Sequence, residues 1–302
     1  MSQLSAVRLS FCGRAVTPEE LALIQHTAAD FGAIGRTELA NTVCELLQWL
    51  RPSGKPKTVE CRSFLEELHA EGLIRLPEIR PRRPRGSRTS TPITLAGEFG
   101  APLEGDLKSF YPLELEPVSS AADHALWREW MQRYHYLGFR VPFGAHLRYF
   151  VRIGAPQAVR VGALQFSSPA WRMAARDNWI GWSEAARRHN LQLIVNNSRF
   201  LILPWVRIRN LASSTLALAA RRLPDDWEER FRLRPVLMET LVDPAHFAGT
   251  CYRAANWIEA GRTTGRGRQD REHRLHDASP KTIFLFALTS EVRRLLCEEA
   301  TP

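Results

Sequence analysis

The chain has 302 residues, about twice the ~150 of an ordinary domain, and 44% of them are hydrophobic, with 9 Trp and 14 Phe. One large core or two ordinary ones can be buried, a disordered chain is excluded, and so is a membrane protein, whose spans need roughly 20 apolar residues in a row. The formal charge of +9 comes from 41 basic and 32 acidic side chains and rests on arginine, because Lys55, Lys57, Lys108 and Lys281 are the only lysines; arginine grips phosphate bidentately and stacks on bases, which favours a nucleic-acid partner.

The first elements read as three helices and a strand. Thr17-Pro18-Glu19-Glu20 combines a capping hydroxyl, a proline at the first helical position and a glutamate three residues after the cap, followed by Leu21, Ile24, Ala28 and Phe31 at helical spacing. A second helix from Thr37 carries Leu39 and Val43, and a third from Thr58 buries Cys61, Phe64, Leu65 and Leu68 before Gly72. Leu73 to Leu76 then looks extended, and the basic tail Arg80-Pro81-Arg82-Arg83-Pro84-Arg85 follows. This is the order of a winged helix-turn-helix over residues 1–88, with Arg62 on the third helix and Arg80, Arg82, Arg83 and Arg85 on the wing as phosphate contacts. Residues 51–88 hold ten basic and five acidic side chains. Glu60, Glu66, Glu67 and Glu71 make the third helix a poor major-groove reader, so protein docking is the other reading of the same unit.

Residues 89–118, rich in Pro, Gly, Ser and Thr, read as a surface linker. From 119 to 302 the pattern is mixed α/β. A helix holds Leu126, Trp127, Trp130 and Met131, a hairpin turns at Gly154-Ala155-Pro156, and a strand covers Ser198 to Val206. A helix then runs from Ala212 to Arg222, a strand from Val236 to Val242 and a helix from Pro244 to Asn256.

Several side chains in this part suit chemistry. His135, between two tyrosines at a helix end, could act as general base or proton donor. Asp177, Glu239 and Asp243 could hold Mg2+ for strand cleavage, with Glu239 and Asp243 catalytic; Arg176-Asp177 reads equally as an ion pair and Asp243-Pro244 as a helix cap. Arg176, Asn196, Asn197 and Arg199 offer donors to a base or phosphate, and Trp171, Trp179, Trp182 and Trp205 suit either base stacking or core packing. Between 262 and 274, five arginines face two acids, with Gly265 and Gly267 beside Arg266 and Arg268, a candidate clamp on a nucleic-acid backbone. The chain has no G-x-x-x-x-G-K-[ST] sequence, so an ATP-driven step calls for a separate helicase or other defence or transposition protein. Five cysteines without a C-x-x-C pair fit reduced thiols, and the opening MSQLSAVRLS has no secretory signature, so the cytoplasm is the expected compartment.

Tyr134 to Gly138, Phe166-Ser167-Ser168-Pro169-Ala170-Trp171, Ala175-Arg176-Asp177-Asn178-Trp179-Ile180-Gly181-Trp182, Asn196 to Trp205, Glu239-Thr240-Leu241-Val242-Asp243 and Gly249 to Trp257 together resemble the Druantia anti-phage system protein DruA family. The resemblance implies a role in phage defence or mobile-element movement, with transposase-like members known. A second resemblance, of fold, is to the centre of GNAT acyltransferases: Arg209 to Ser214 opens a helix where that family wraps the pyrophosphate of acyl-CoA, and Tyr252 matches its general acid. Ala212 and Ser214 replace the glycines such a loop uses. Three functions follow: a DNA-acting nuclease or transposase, an acyltransferase, and a non-catalytic DNA platform on an acyltransferase-like fold.

Overall fold

A short hairpin of β1 (Ser10–Phe11) and β2 (Arg14–Ala15) leads into α1 (Pro18–Asp30). This helix starts at a reciprocal capping box, in which the Glu20 N–H donates to Thr17 Oγ1 (3.2 Å) and the Thr17 N–H to Glu20 Oε2 (3.0 Å). The computed structural model describes residues 9–30, 36–52, 55–76, 91–142, 144–263 and 280–299. The chain divides into two units: Met1–Ser87 with Phe143–Ala145 and Glu229–Arg232, and Arg88–Pro142 with His146–Glu228 and Leu233–Pro302.

In the smaller unit α2 (Arg36–Leu46) and α3 (Thr58–Ala70) pack through the apolar positions the sequence predicts, with Cys44 as an addition. Leu39, Val43 and Cys44 are buried on α2, and Cys61, Phe64, Leu65 and Leu68 on α3. Phe11 stacks on Trp49 at 3.7 Å, and Phe64 meets both rings edge-on at 5.7 Å. The strand expected over Leu73 to Leu76 does not form. The N–H groups of Leu73 and Ile74 both turn back to Leu68 O (2.9 and 3.4 Å), satisfying the end of α3, while Gly72 takes the left-handed φ of 75° that this reversal needs. Three helices are therefore present without a wing strand among the described residues, and Arg80, Arg82, Arg83 and Arg85 lie outside them.

The larger unit follows in chain order as β3 (Leu103–Asp106), β4 (Leu113–Pro117), α4 (Ala121–Tyr134), β5 (His146–Ile153), β6 (Val159–Ser167), α5 (Ala174–Ile180), α6 (Glu184–Asn190), β7 (Ile194–Ile202), β8 (Val206–Arg209), α7 (Leu211–Phe231), β9 (Leu237–Val242), α8 (Thr250–Ala254), β10 (Ile258–Arg262), β11 (Thr282–Ala287) and α9 (Val292–Cys297). Seven strands form one mixed sheet in the order β10-β11-β9-β7-β6-β5-β4. Every neighbouring pair is antiparallel except β7 and β9. Residues 91–118, expected as a linker, instead supply structure. β4 closes one sheet edge against β5, and β3 pairs in parallel with β8. The expected strand 198–206 divides into β7 and β8, and the expected helix 244–256 shortens to α8, because Gly249 at φ 71° starts it only after a turn at Asp243 to Phe247.

Alternation along the strands builds a core on both faces. Leu237, Ile283 and Leu285 join Met173, Ile180, Val292 and Leu296 on one side. On the other, Phe284 stacks on Tyr252 of α8 at 5.6 Å. Helix α7 is tied to the sheet by Asp226, which accepts from the Tyr149 hydroxyl and Arg222 Nε, both at 2.8 Å, while Arg222 also donates to Leu115 O. The parallel pair registers only Ile194 to Asn196 with Leu237 to Glu239. Just beyond, Ser198 is an extra residue between Asn197 and Arg199, which face Phe166 and Gln165, and the β7–β9 ladder stops at Asn196 and Glu239, a splay at the sheet centre.

The close approach of β6 to β7 demands glycine at 162. A Cβ there would lie 2.5 Å from Leu201 O and 3.1 Å from Ile202 Cδ1, and the first contact is backbone. Gly162→Ala is expected to destabilise the protein by about 1–3 kcal/mol, read as a lower urea midpoint.

Candidate functional site

Glu239 sits mid-strand on β9, fully buried, and both oxygens are taken: Oε1 accepts the Ala170 N–H (3.2 Å) and Oε2 accepts Arg176 Nη1 (2.9 Å). Arg176, equally buried on α5, also donates Nη1 to Ala170 O (2.8 Å), and Nε and Nη2 to Asp177 Oδ1 (2.9 and 2.8 Å). Burial alone would lower the guanidinium pKa, but Glu239 and Asp177 outweigh it and the net shift is upward. The ion-pair reading of Arg176-Asp177 is thus the structural one, extended to a third member. Arg176 is fully buried rather than on a nucleic-acid-facing surface, and it stands between two of the three carboxylates expected to share a metal. Asp243 is elsewhere, accepting the Ala245 N–H at 3.0 Å with His246 Nδ1 3.6 Å away. Among the described residues no group of three or more His, Cys, Asp or Glu is placed to hold a metal.

Asn197 staples the bulge. Its Nδ2 donates to Gln165 O (3.3 Å) and Arg199 O (3.1 Å), and its Oδ1 accepts the Tyr252 hydroxyl at 2.8 Å. Thr240 Oγ1 donates to Asn197 O at 3.0 Å, so the splay is filled by side chains of the protein itself. Burial pushes the Tyr252 phenol well above its usual range, with Thr240 opposing weakly, so it stays protonated at neutral pH. The Asn196 Oδ1 is buried without a hydrogen-bond partner.

His135 ends α4, and its Nδ1 accepts the Leu137 N–H at 3.2 Å. Burial, with the Arg199 charge adding, pushes its pKa down to about 4, so it is a neutral and weakly basic imidazole at pH 7 rather than a base poised there. The His135 ring stacks on Tyr136 (5.0 Å), Tyr136 stacks on His246 (4.8 Å), and Phe247 meets Tyr136 edge-on at 5.4 Å. Arg199 lies beside them with Nη1 on Ser198 O (2.6 Å) and Nε on Gly138 O (3.4 Å). Desolvation lowers its pKa, Tyr136 opposes this and Arg140 adds to it. The sequence shows His135 and Arg199 as candidates, with Tyr136 beside the first, but leaves out Arg140 and does not join them to His246 and Phe247, because nothing in their spacing links a helix end to a turn more than a hundred residues later.

The remaining candidates scatter. Arg62 pairs with Glu66 on its own helix at 3.8 Å. The tryptophans have partners within the chain: Arg187 lies over Trp171, Arg293 over Trp179 and Arg176 over Trp182, all three half-buried, and the buried Trp205 packs with Phe99 and Tyr134. Arg266 and Arg268 fall outside the described residues. An open groove of about 630 Å3 runs between α7 and α8, lined by Ser213, Ser214, Arg221, Asn256 and Phe286 among others. Neither Arg209 nor Tyr252 lines it; Arg209 borders a separate depression with Glu104, Asp106 and Arg207. No helix among the described residues is long and apolar enough to cross a membrane.

No curated protein matches this chain. Among solved structures it is similar to the manganese complex of spermidine/spermine N-acetyltransferase SpeG from Vibrio cholerae, with 10% identity over 60% of this chain and 96% of that one and a TM-score of 0.35. It is also similar to the dodecameric spermidine N-acetyltransferase of the same organism, with 10% identity over 50% and 69% of the two chains and a TM-score of 0.30. The mixed α/β class rests on the sheet itself. The family described as Druantia protein DruA matches residues 67–287, well over half of the sequence. The chain belongs to that family, which supports a role in anti-phage defence.

Proposed function

We propose that this member of the DruA family binds DNA in anti-phage defence, with its larger unit serving as a non-catalytic platform. The observation that carries the platform reading is Arg176, whose bonds to Glu239 and Asp177 occupy two of the three carboxylates that metal-dependent cleavage would need. The arginine-dominated charge of +9 supports nucleic acid as the ligand, and a separate helicase or other defence protein supplies any ATP-driven step. In fluorescence anisotropy at roughly 100 mM salt, the full chain is expected to bind DNA with a micromolar or tighter Kd and a negative slope of log K against log salt. Absence of binding sinks the reading. Incubation of labelled DNA with Mg2+ or Mn2+ is expected to leave it intact; metal-dependent cutting lost in Asp243→Asn would restore the nuclease reading.

The groove beside Ser213 and Ser214 favours a second reading, acyl-CoA bound along α7, for which Tyr252, the expected acid, lies outside the groove lining. Its wall holds no glycine at 212 or 214 to admit a pyrophosphate closely, and Tyr252 is turned to Asn197. Calorimetry with acetyl-CoA is expected to show no binding tighter than about 1 mM, and a Kd well below that would put the acyltransferase reading first.

A further inference from the structure

The turn after α4 and the turn after β9 present an aromatic surface that is stacked and exposed at once. Tyr136 is clasped between the rings of His135 and His246, yet it remains 38% exposed, and Phe247 at its edge is 55% exposed. Stacking fixes these rings before any ligand arrives, so a planar partner laid on them loses little side-chain freedom.

Beside the rings stands a cation whose charge is not neutralised. Arg199 is half-buried and spends Nε and Nη1 on two backbone carbonyls, and it has no carboxylate partner among the described residues. The charge of Arg140, itself exposed, lies near enough to oppose it. A guanidinium held only by backbone carbonyls keeps a donor group for an arriving anion, which would gain a charge-assisted bond there. Asp243, whose charge reaches Tyr136, accepts the Ala245 N–H on its own turn, with His246 Nδ1 3.6 Å away.

We propose that Tyr136, His246 and Phe247 with Arg199 and Arg140 form a site for single-stranded nucleic acid, an unpaired base stacking on the rings and its phosphate meeting the two guanidinium groups. This rests on the nucleic-acid reading above and narrows it. A duplex hides its base faces within its own stack, whereas every unpaired base offers a π face to an aromatic side chain.

The test compares wild type with Tyr136→Ala/Phe247→Ala, Tyr136→Phe and Arg140→Ala, each with its melting temperature checked, by anisotropy on three probes. These are oligothymidine of roughly 20 nucleotides, an abasic strand of the same length and a duplex. The double alanine variant is expected to bind oligothymidine about 10- to 100-fold more weakly and the duplex within about twofold of wild type. Tyr136→Phe should keep wild-type affinity, since it keeps the ring, and the abasic strand should bind weakly and equally to wild type, Tyr136→Phe and the double alanine variant. Arg140→Ala should flatten the salt dependence on oligothymidine by about 0.7. Equal oligothymidine affinity of wild type and the double variant, with duplex binding intact, overturns the site and leaves the DNA reading standing. Failure of wild type to bind any of the three probes overturns both.

Discussion

Arg176→Met is expected to destabilise the protein by about 3–5 kcal/mol, because it leaves the Glu239 carboxylate buried with its counter-charge removed. For a unit of this size that corresponds to a loss of roughly 6–20 °C in Tm. The isosteric neighbourhood matters less than the orphaned charge, so Arg176→Met/Glu239→Leu, which removes the fully buried pair and leaves only the part-exposed Asp177, should recover much of the loss. A double-mutant cycle by urea denaturation measures that recovery as a coupling energy. The result also separates two roles for the arginine. A guanidinium that faced DNA would be exposed, and its removal would weaken binding while shifting stability by less than about 0.5 kcal/mol. A variant as stable as wild type would therefore return Arg176 to the nucleic-acid surface.

The same residue shows where reading the sequence succeeds and where it stops. Arg176-Asp177 is visible as a pair because its members are neighbours, but Glu239 joins it from 63 positions away, and only the sheet brings α5 over β9. Local signals were enough where a local bond fixes the outcome. The Thr17 to Glu20 cap, the apolar stripe of α3 and the β5–β6 hairpin are all written within a few residues of themselves. They fail where partners are remote. β4 reads as loop because Leu113 to Pro117 is short and polar, and its pairing is supplied by β5 more than thirty positions later. At the splay, the sequence shows Asn197 and Tyr252 as polar residues ready for chemistry, whereas the fold uses them on each other. The aromatic surface at Tyr136 was legible only in half, as Tyr134 to Gly138, since Phe247 arrives from the turn after β9.

Glu129→Gln should release the segment that the composition marks as a linker. Glu129 is 2% exposed on α4 and holds the Thr94 N–H (2.8 Å), the Thr94 hydroxyl (2.7 Å) and Arg133 Nη1 (3.0 Å), while the Tyr134 hydroxyl donates to Gly97 O at 2.8 Å. Gly97 is bare because a Cβ there would lie 2.1 Å from Glu129 Oε1. Burial alone would raise the Glu129 pKa; the two Thr94 donors and Arg133 together outweigh it, and the carboxyl is held below its ordinary 4.5. The amide keeps the shape but turns an NH2 toward donors, a cost of about 2–3 kcal/mol at pH 7. A depressed folded-state pKa contributes its full stability above about 4.5 and loses it as pH falls through the folded value. The gap between wild type and Glu129→Gln should therefore narrow once the pH drops below 4.5, because a protonated Glu129 offers Thr94 little more than the amide does. Urea midpoints at pH 7 and near pH 3 measure the gap, and limited proteolysis at neutral pH should cut the variant faster within 91–102. A gap of the same size at both pH values, with equal proteolysis, would show that the carboxylate charge does not hold this segment to α4.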